Sequence, residues 1–170
     1  TTGSILDNLN TEDSNIVANN LSVTSNSGFG TSAVNADIDT TISTLTVTNA
    51  NADIYLQETD GLTINSIAQN GIMGVVNVEV VTSDLVQDGL ISSVNGDITL
   101  KANNGNITMN SGKNTNSING NVSYSANNSI NLSSISTIGN VILTATTGSI
   151  LDNLNTEDSN IVANNLSVTS

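Results

Sequence analysis

The chain has 170 residues and sets fifteen acidic side chains against only Lys101 and Lys113, with no histidine and no arginine. A net charge of −13 leaves no basic footprint, so neither nucleic acid nor an anionic membrane surface is an expected partner. Cysteine and proline are absent and the aromatic residues are Phe29, Tyr55 and Tyr124, which rules out a disulfide scaffold, thiol chemistry and a bulky aromatic core.

Residues 1–25, TTGSILDNLNTEDSNIVANNLSVTS, return without a mismatch at 146–170, an offset of 145. Such a repeat governs architecture ahead of any local pattern. It divides one continuous segment, 1–170, into a unit at 1–145 and the start of a second at 146–170. Inside the unit a finer rhythm recurs. An Asn or Asp followed by a β-branched residue opens a short alternating run: NIVA at 15–18, DIDT at 37–40, DIYL at 53–56, DITL at 97–100, NVSY at 121–124 and NVIL at 140–143. VVNV at 75–78 fits the series, and Ile161 continues it. A second apolar pair follows each opening, as in Leu62 and Ile64, Ile107 and Met109, and Ile130 and Leu132.

Alternation over four or five residues is a strand signal, and no stretch holds a helical spacing. Asn-Gly pairs at 70–71, 95–96, 104–105 and 119–120 mark corners, where both residues tolerate positive φ. Short strands about twenty residues apart suit a β-sandwich or a β-solenoid. The recurrence of one residue type at one place, the absence of proline and the aliphatic core favour the solenoid. The expected fold is all-β, a right-handed parallel β-helix. About seven coils of roughly twenty residues make a unit, opening at Asn15, Asp37, Asp53, Val75, Asp97, Asn121 and Asn140. The coil at 37–52 is the shortest. At about 4.8 Å per coil the unit advances about 34 Å.

Segments such as GDITLKANNGNITMNSG (96–112) and NVILTATTGSI (140–150) resemble the β-helical shafts of filamentous-haemagglutinin-type exoproteins. Those are large bacterial surface and secreted adhesins, many exported by two-partner secretion. The resemblance implies an extracellular or cell-surface shaft that adheres or aggregates, without catalysis. Its partners would be adjacent copies of the repeat in one rod, neighbouring fibres and surface glycans.

Other functions are weighed on their residues. A carbohydrate-active β-helix needs carboxylate pairs or basic residues; the best acidic clusters are Glu58 with Asp60, and Glu79 with Asp84 and Asp88. Asp37 and Asp53 open neighbouring coils, and stacking them would bring two carboxylates together at a calcium site. Glu12 and Asp13, repeated as Glu157 and Asp158, form a similar cluster. Ice binding calls for threonine arrays in one register, whereas TVT occurs at 46–48 without a matching series. Asn at successive corners is expected to form amide ladders along the axis.

Overall fold

The computed structural model describes residues 3–9, 11–49 and 51–170. Among them every secondary-structure element is a β-strand, nineteen in all, and every pairing is parallel. The chain is a parallel β-solenoid of about seven turns. One sheet forms the first face: β1 (Ile16–Val17), β3 (Ile38–Thr41), β5 (Ile54–Glu58), β7 (Val76–Val80), β10 (Ile98–Ala102), β13 (Val122–Ala126), β16 (Asn140–Ala145) and β19 (Asn165–Thr169).

The opposite wall begins as one sheet, β2 (Asn20–Ser25), β4 (Thr44–Asn49) and β6 (Leu62–Gln69). Between β4 and β6 the register slips by one residue, with Leu45 facing Ile64 and Thr46 facing Ser66, so that Asn65 bulges outward. At the bulge the wall divides. One branch continues as β8 (Leu85–Gln87), β11 (Ile107–Met109), β14 (Ile130–Leu132) and β17 (Ile150–Asp152), the second face. The other continues as β9 (Ile91–Ser93), β12 (Asn114–Ser117), β15 (Ser134–Thr137) and β18 (Ile161–Val162), the third face. From β8 onward each coil therefore has three strands.

Period-two alternation produces the core directly. Ile54, Val76, Ile98, Val122 and Val141 form one inward column of the first face, and Leu56, Val78, Leu100, Tyr124 and Leu143 the next. All are buried. Leu62, Leu85, Ile107 and Ile130 do the same on the second face. Burying one such aliphatic side chain contributes about 1.5–3 kcal/mol, and a column repeats that contribution coil after coil.

Three expectations about coil boundaries need correction. The first coil opens at Ile5, in the line of Phe29, rather than at Asn15, since Ile16 stands beside Thr40 and not Ile38. Ile38 does not stack on Ile54; it stands beside Leu56, and Phe29 occupies the place beside Ile54. The coil expected to open at Asp37 in fact opens at Phe29. The chain then leaves the wall at residues 30–37 and rejoins it two residues farther along. Nor does Ile161 stack on Val141: Val141 pairs with Leu166, while Ile161 pairs with Ile135 on the third face.

The corners carry the expected side-chain ladders. Asp97 Oδ1 accepts from the Asn121 backbone N at 2.7 Å and from Asn121 Nδ2 at 3.2 Å. Asn121 Oδ1 accepts from Asn140 N at 3.0 Å, and Asn140 Oδ1 from Asn165 Nδ2 at 2.8 Å. A second ladder runs through Asp84, Asn106, Ser129 and Ser149. The corner glycines have a different cause from the one expected. Among the described residues positive φ occurs at Gly30, Asn35 and Gly112, none of them in an Asn-Gly pair. Gly96 and Gly120 are required instead by the closeness of stacked coils: a Cβ on Gly120 would lie 2.1 Å from the Gly96 carbonyl oxygen.

Candidate functional site

The excursion at 30–37 builds the concave feature of the rod. Its neck is tied by Gly30 N donating to Ile5 O at 2.9 Å and Thr31 N donating to Ala36 O at 2.9 Å. Gly30 has φ of +73°, and a Cβ there would meet the Tyr55 carbonyl oxygen at 2.1 Å. Only glycine meets both constraints. Between this loop and the outer side of β5 and β7 lies a cleft of 390 Å³, lined among others by Thr31, Asp37, Tyr55, Asn77 and Glu79.

Electrostatics at the cleft are one-sided. Burial pushes the Asp37 carboxyl above its ordinary value, partly offset by hydrogen bonds from its own backbone and from Gln57; the charges of Glu12 and Glu79 add to the rise. Glu79 is held from the other side by Lys101 Nζ at 3.2 Å and Asn103 Nδ2 at 2.5 Å. Glu12 reaches in from the preceding excursion and accepts from Gln57 Nε2 at 2.7 Å. Beneath the loops Asp39 is 3 % exposed and is pushed up to about 6, first by burial and then by Asp37, Glu12, Asp7 and Asp13.

The residues singled out by sequence distribute unevenly over this surface. Asp37 lines the cleft, but Asp53 does not join it. Because Ile38 stands beside Leu56, Asp37 falls beside Tyr55, two positions along from Asp53. Asp53 instead accepts from Val75 N at 2.9 Å as a corner residue. The expected stacking of the two carboxylates is therefore incorrect, because the excursion shifts the register. Among the described residues no group of three or more acid side chains is arranged to hold a metal ion.

Glu58 and Asp60 do not form a surface pair either. Glu58 points into the rod, fully buried, while Asp60 is exposed. Glu79, Asp84 and Asp88 separate as well: Glu79 lies on the first face, Asp84 belongs to the second ladder, and Asp88 pairs with Lys113 at 3.7 Å. Glu12 and Asp13 are exposed, and Asp13 accepts from Thr11 Oγ1 at 3.2 Å within the excursion. Thr46 and Thr48 face outward beside Ser22 and Thr24 on one side and Ser66 and Ala68 on the other, so the row of Thr24 and Thr48 ends after two coils.

Sequence reasoning missed the polar groups inside the rod. Gln87 is fully buried, its Nε2 donating to Gly89 O at 3.0 Å and Asn114 O at 2.8 Å. Its Oε1 accepts from Tyr124 Oη at 2.9 Å and from Thr115 Oγ1 at 3.1 Å. Glu58 is the other case: burial pushes its carboxyl up to about 7, against the lowering effect of Thr40 and the Ile42 N–H. The only early signal was their place, since Glu58, Gln87 and Tyr124 each fall on an inward phase of the alternation.

Chemically, the cleft offers carboxylates, hydroxyls and one tyrosine ring, with no imidazole or guanidinium anywhere in the chain. Such a surface suits hydrogen bonding and cation attraction. Comparison with family models, with curated proteins and with solved structures finds no match to this chain.

Proposed function

We propose that the chain is a shaft segment of a large extracellular surface filament or adhesin, and that it acts by extending the molecule and presenting repeated surface for attachment, aggregation or fibre formation. The supporting observation is the ladder itself. Backbone hydrogen bonds link every coil to the next on all faces, and the corner ladders of Asp97, Asn121, Asn140 and Asn165 run in the same direction. A rod so bonded transmits tension along its axis and carries variable side chains outside. Its acidic surface keeps neighbouring rods apart at low salt and lets added salt bring them together.

The test is display of a tandem array on the surface of non-adherent bacterial cells. Extended rods whose length grows with repeat number, together with salt-dependent clumping or attachment, support the reading. Cells that stay dispersed at every salt concentration and on every surface tried overturn its adhesive part. Loss of label when intact parent cells are shaved with protease tests the extracellular placement.

One observation favours a second reading, a glycan-binding or carbohydrate-active rod: the cleft places Asp37 and Glu79 around Tyr55. Binding on a glycan array, or cleavage of a polysaccharide, lost in Asp37→Asn and Glu79→Gln, would establish it in place of the purely mechanical role.

A further inference from the structure

The two copies of the twenty-five-residue segment have the same local structure but lie on different faces. In both, an Asx turn and an amide tie shape the excursion. Leu9 N donates to Asp7 Oδ1 at 2.7 Å and Asn15 Nδ2 to the same oxygen at 2.6 Å. Leu154 N donates to Asp152 Oδ1 at 2.7 Å and Asn160 Nδ2 to it at 2.8 Å. Thr11 with Asp13 is likewise matched by Thr156 with Asp158.

Their stacking differs throughout. Ile5 stands beside Phe29 in the line of Ile54, on the first face, whereas Ile150 pairs with Ile130 on the second. Ile16 and Val17 pair with Thr40 and Thr41 on the first face, whereas Ile161 and Val162 pair with Ile135 and Ser136 on the third. Asn20–Ser25 pairs with β4 on the wall opposite the first face, whereas Asn165–Thr169 pairs with β16 on the first face itself. The elements that share the first face in the first copy lie across the second and third faces in the second copy, and the element of the opposite wall lies on the first face, so the two walls have exchanged places.

We infer that the 145-residue unit spans six turns and about half of another, so that each copy in the array is rotated about the axis by about half a turn relative to the copy before it. Both parts of the argument lie within the chain: how a unit begins relative to its own next coil, and how the following unit begins on the end of the last. The open edge of β17, β18 and β19 is then the docking surface for the rest of the second copy. The copy of Phe29 stacks on Ile150, the copy of β3 on Ile161 and Val162, and the copy of β4 on Asn165–Thr169. That last strand covers Leu166 and Val168, now 51 % and 52 % exposed.

The exchange of walls makes the rotation about 180° and the rise per unit about 31 Å, so two units restore the phase. A cleft or patch present once per unit is thereby presented in two opposite directions around the rod. The inference rests on the reading of the chain as a rod-forming tandem array, though not on that array being adhesive.

Because the chain lacks cysteine, introduced pairs report stacking without background. In an array of two units, Ser136→Cys with Val162→Cys is expected to close an intramolecular disulfide on mild oxidation, since these outward residues are ladder partners. Thr146→Cys with Val162→Cys is the pair that a rotation-free stack would join, since Val17 stands in the line of Thr41 that ends at Thr146, and it is expected to stay reduced. Ile142→Cys with Ser167→Cys is the positive control for the first face. The reverse pattern, with the Val162 cysteine bonding the Thr146 cysteine, overturns the inference. In arrays of six or more units, helical reconstruction is expected to give about 180° per repeat, and zero rotation in a straight rod overturns it too. Failure to form rods at all refutes the shaft reading instead.

Discussion

Thr40 Oγ1 donates to Glu58 Oε2 at 2.5 Å inside the rod, across two adjacent strands of the first face. The Ile42 N–H reaches both oxygens of the same carboxyl at 3.1 Å. Farther along the column the equivalent inward places are Val80, Ala102, Ala126 and Ala145. One carboxyl thus replaces an aliphatic side chain beneath the candidate cleft. When protonated it can donate to Thr40 Oγ1, leaving Thr40 to donate to the Gln57 carbonyl oxygen at 3.2 Å.

The folded Glu58 carboxyl, pushed up to about 7 by burial, binds a proton more tightly than the unfolded one, whose ordinary value is 4.5. Between those values the native state holds more protons, so its stability falls as pH rises from about 4.5 to about 7. The expected loss is about 2–3 kcal/mol. Asp39, pushed up to about 6, adds to it with the same sign. Glu58→Gln is expected to be more stable than the parent at pH 8 and to flatten the profile. Urea unfolding from pH 4 to pH 8 measures both; a parent profile that rises over this window would refute the assignment.

The Gln87, Thr115 and Tyr124 cluster gives a second expectation. Tyr124→Phe removes one hydroxyl and leaves Thr115 as a donor to Gln87 Oε1, at a cost of about 1 kcal/mol. Gln87→Leu leaves the Tyr124 and Thr115 hydroxyls bonded only to each other, at 2.5 Å, and removes the donor to two backbone carbonyls, and is expected to cost about 3 kcal/mol. Thermal or urea midpoints of the two variants should therefore differ clearly and in that order.

Much of the first face was legible because its inward residues are β-branched and its corners repeat Asp or Asn; Asp53, Val75, Asp97, Asn121 and Asn140 all open coils where expected. The third face was not. Its inward places hold Ser93, Thr115, Ser117 and Thr137, whose burial depends on carbonyls of other coils, as with Ser117 Oγ donating to Gly96 O at 3.0 Å. Asp37 was misplaced because Phe29 is a lone apolar residue without flanking alternation. The cleft could not be foreseen, since an excursion, rather than any motif, brings Asp37 toward Glu79. The face assigned to each copy of the repeat is also invisible locally: identical residues take their face from what precedes or follows them.

Crowding between coils predicts a sharp response at the corners. A Cβ at Gly120 would lie 2.1 Å from the Gly96 oxygen and 2.4 Å from its carbonyl carbon, so backbone must move. Gly120→Ala is expected to destabilise by about 3 kcal/mol. Gly112 has positive φ of +77° and nothing within 4 Å of an added Cβ. Alanine there meets only conformational strain and should cost about 1 kcal/mol. Equal melting temperatures for the two variants would contradict the account of the glycine column.

The corner ladder predicts an effect that a second substitution reverses. Asn121 both donates through Nδ2 to Asp97 Oδ1 and accepts through Oδ1 from Asn140 N, so it links three successive coils. Asn121→Asp keeps the acceptor but loses the donor, and sets one carboxylate against another a strand spacing away. The expected cost is about 1–2 kcal/mol at pH 7. Asp97→Asn combined with Asn121→Asp restores a donor and an acceptor in reversed order, since the amide introduced at position 97 can donate to the carboxylate introduced at position 121. The double variant should therefore recover most of the stability at pH 7. Its failure to do so, with both single variants folded, would mean that the ladder contributes charge spacing rather than hydrogen bonding to the stack.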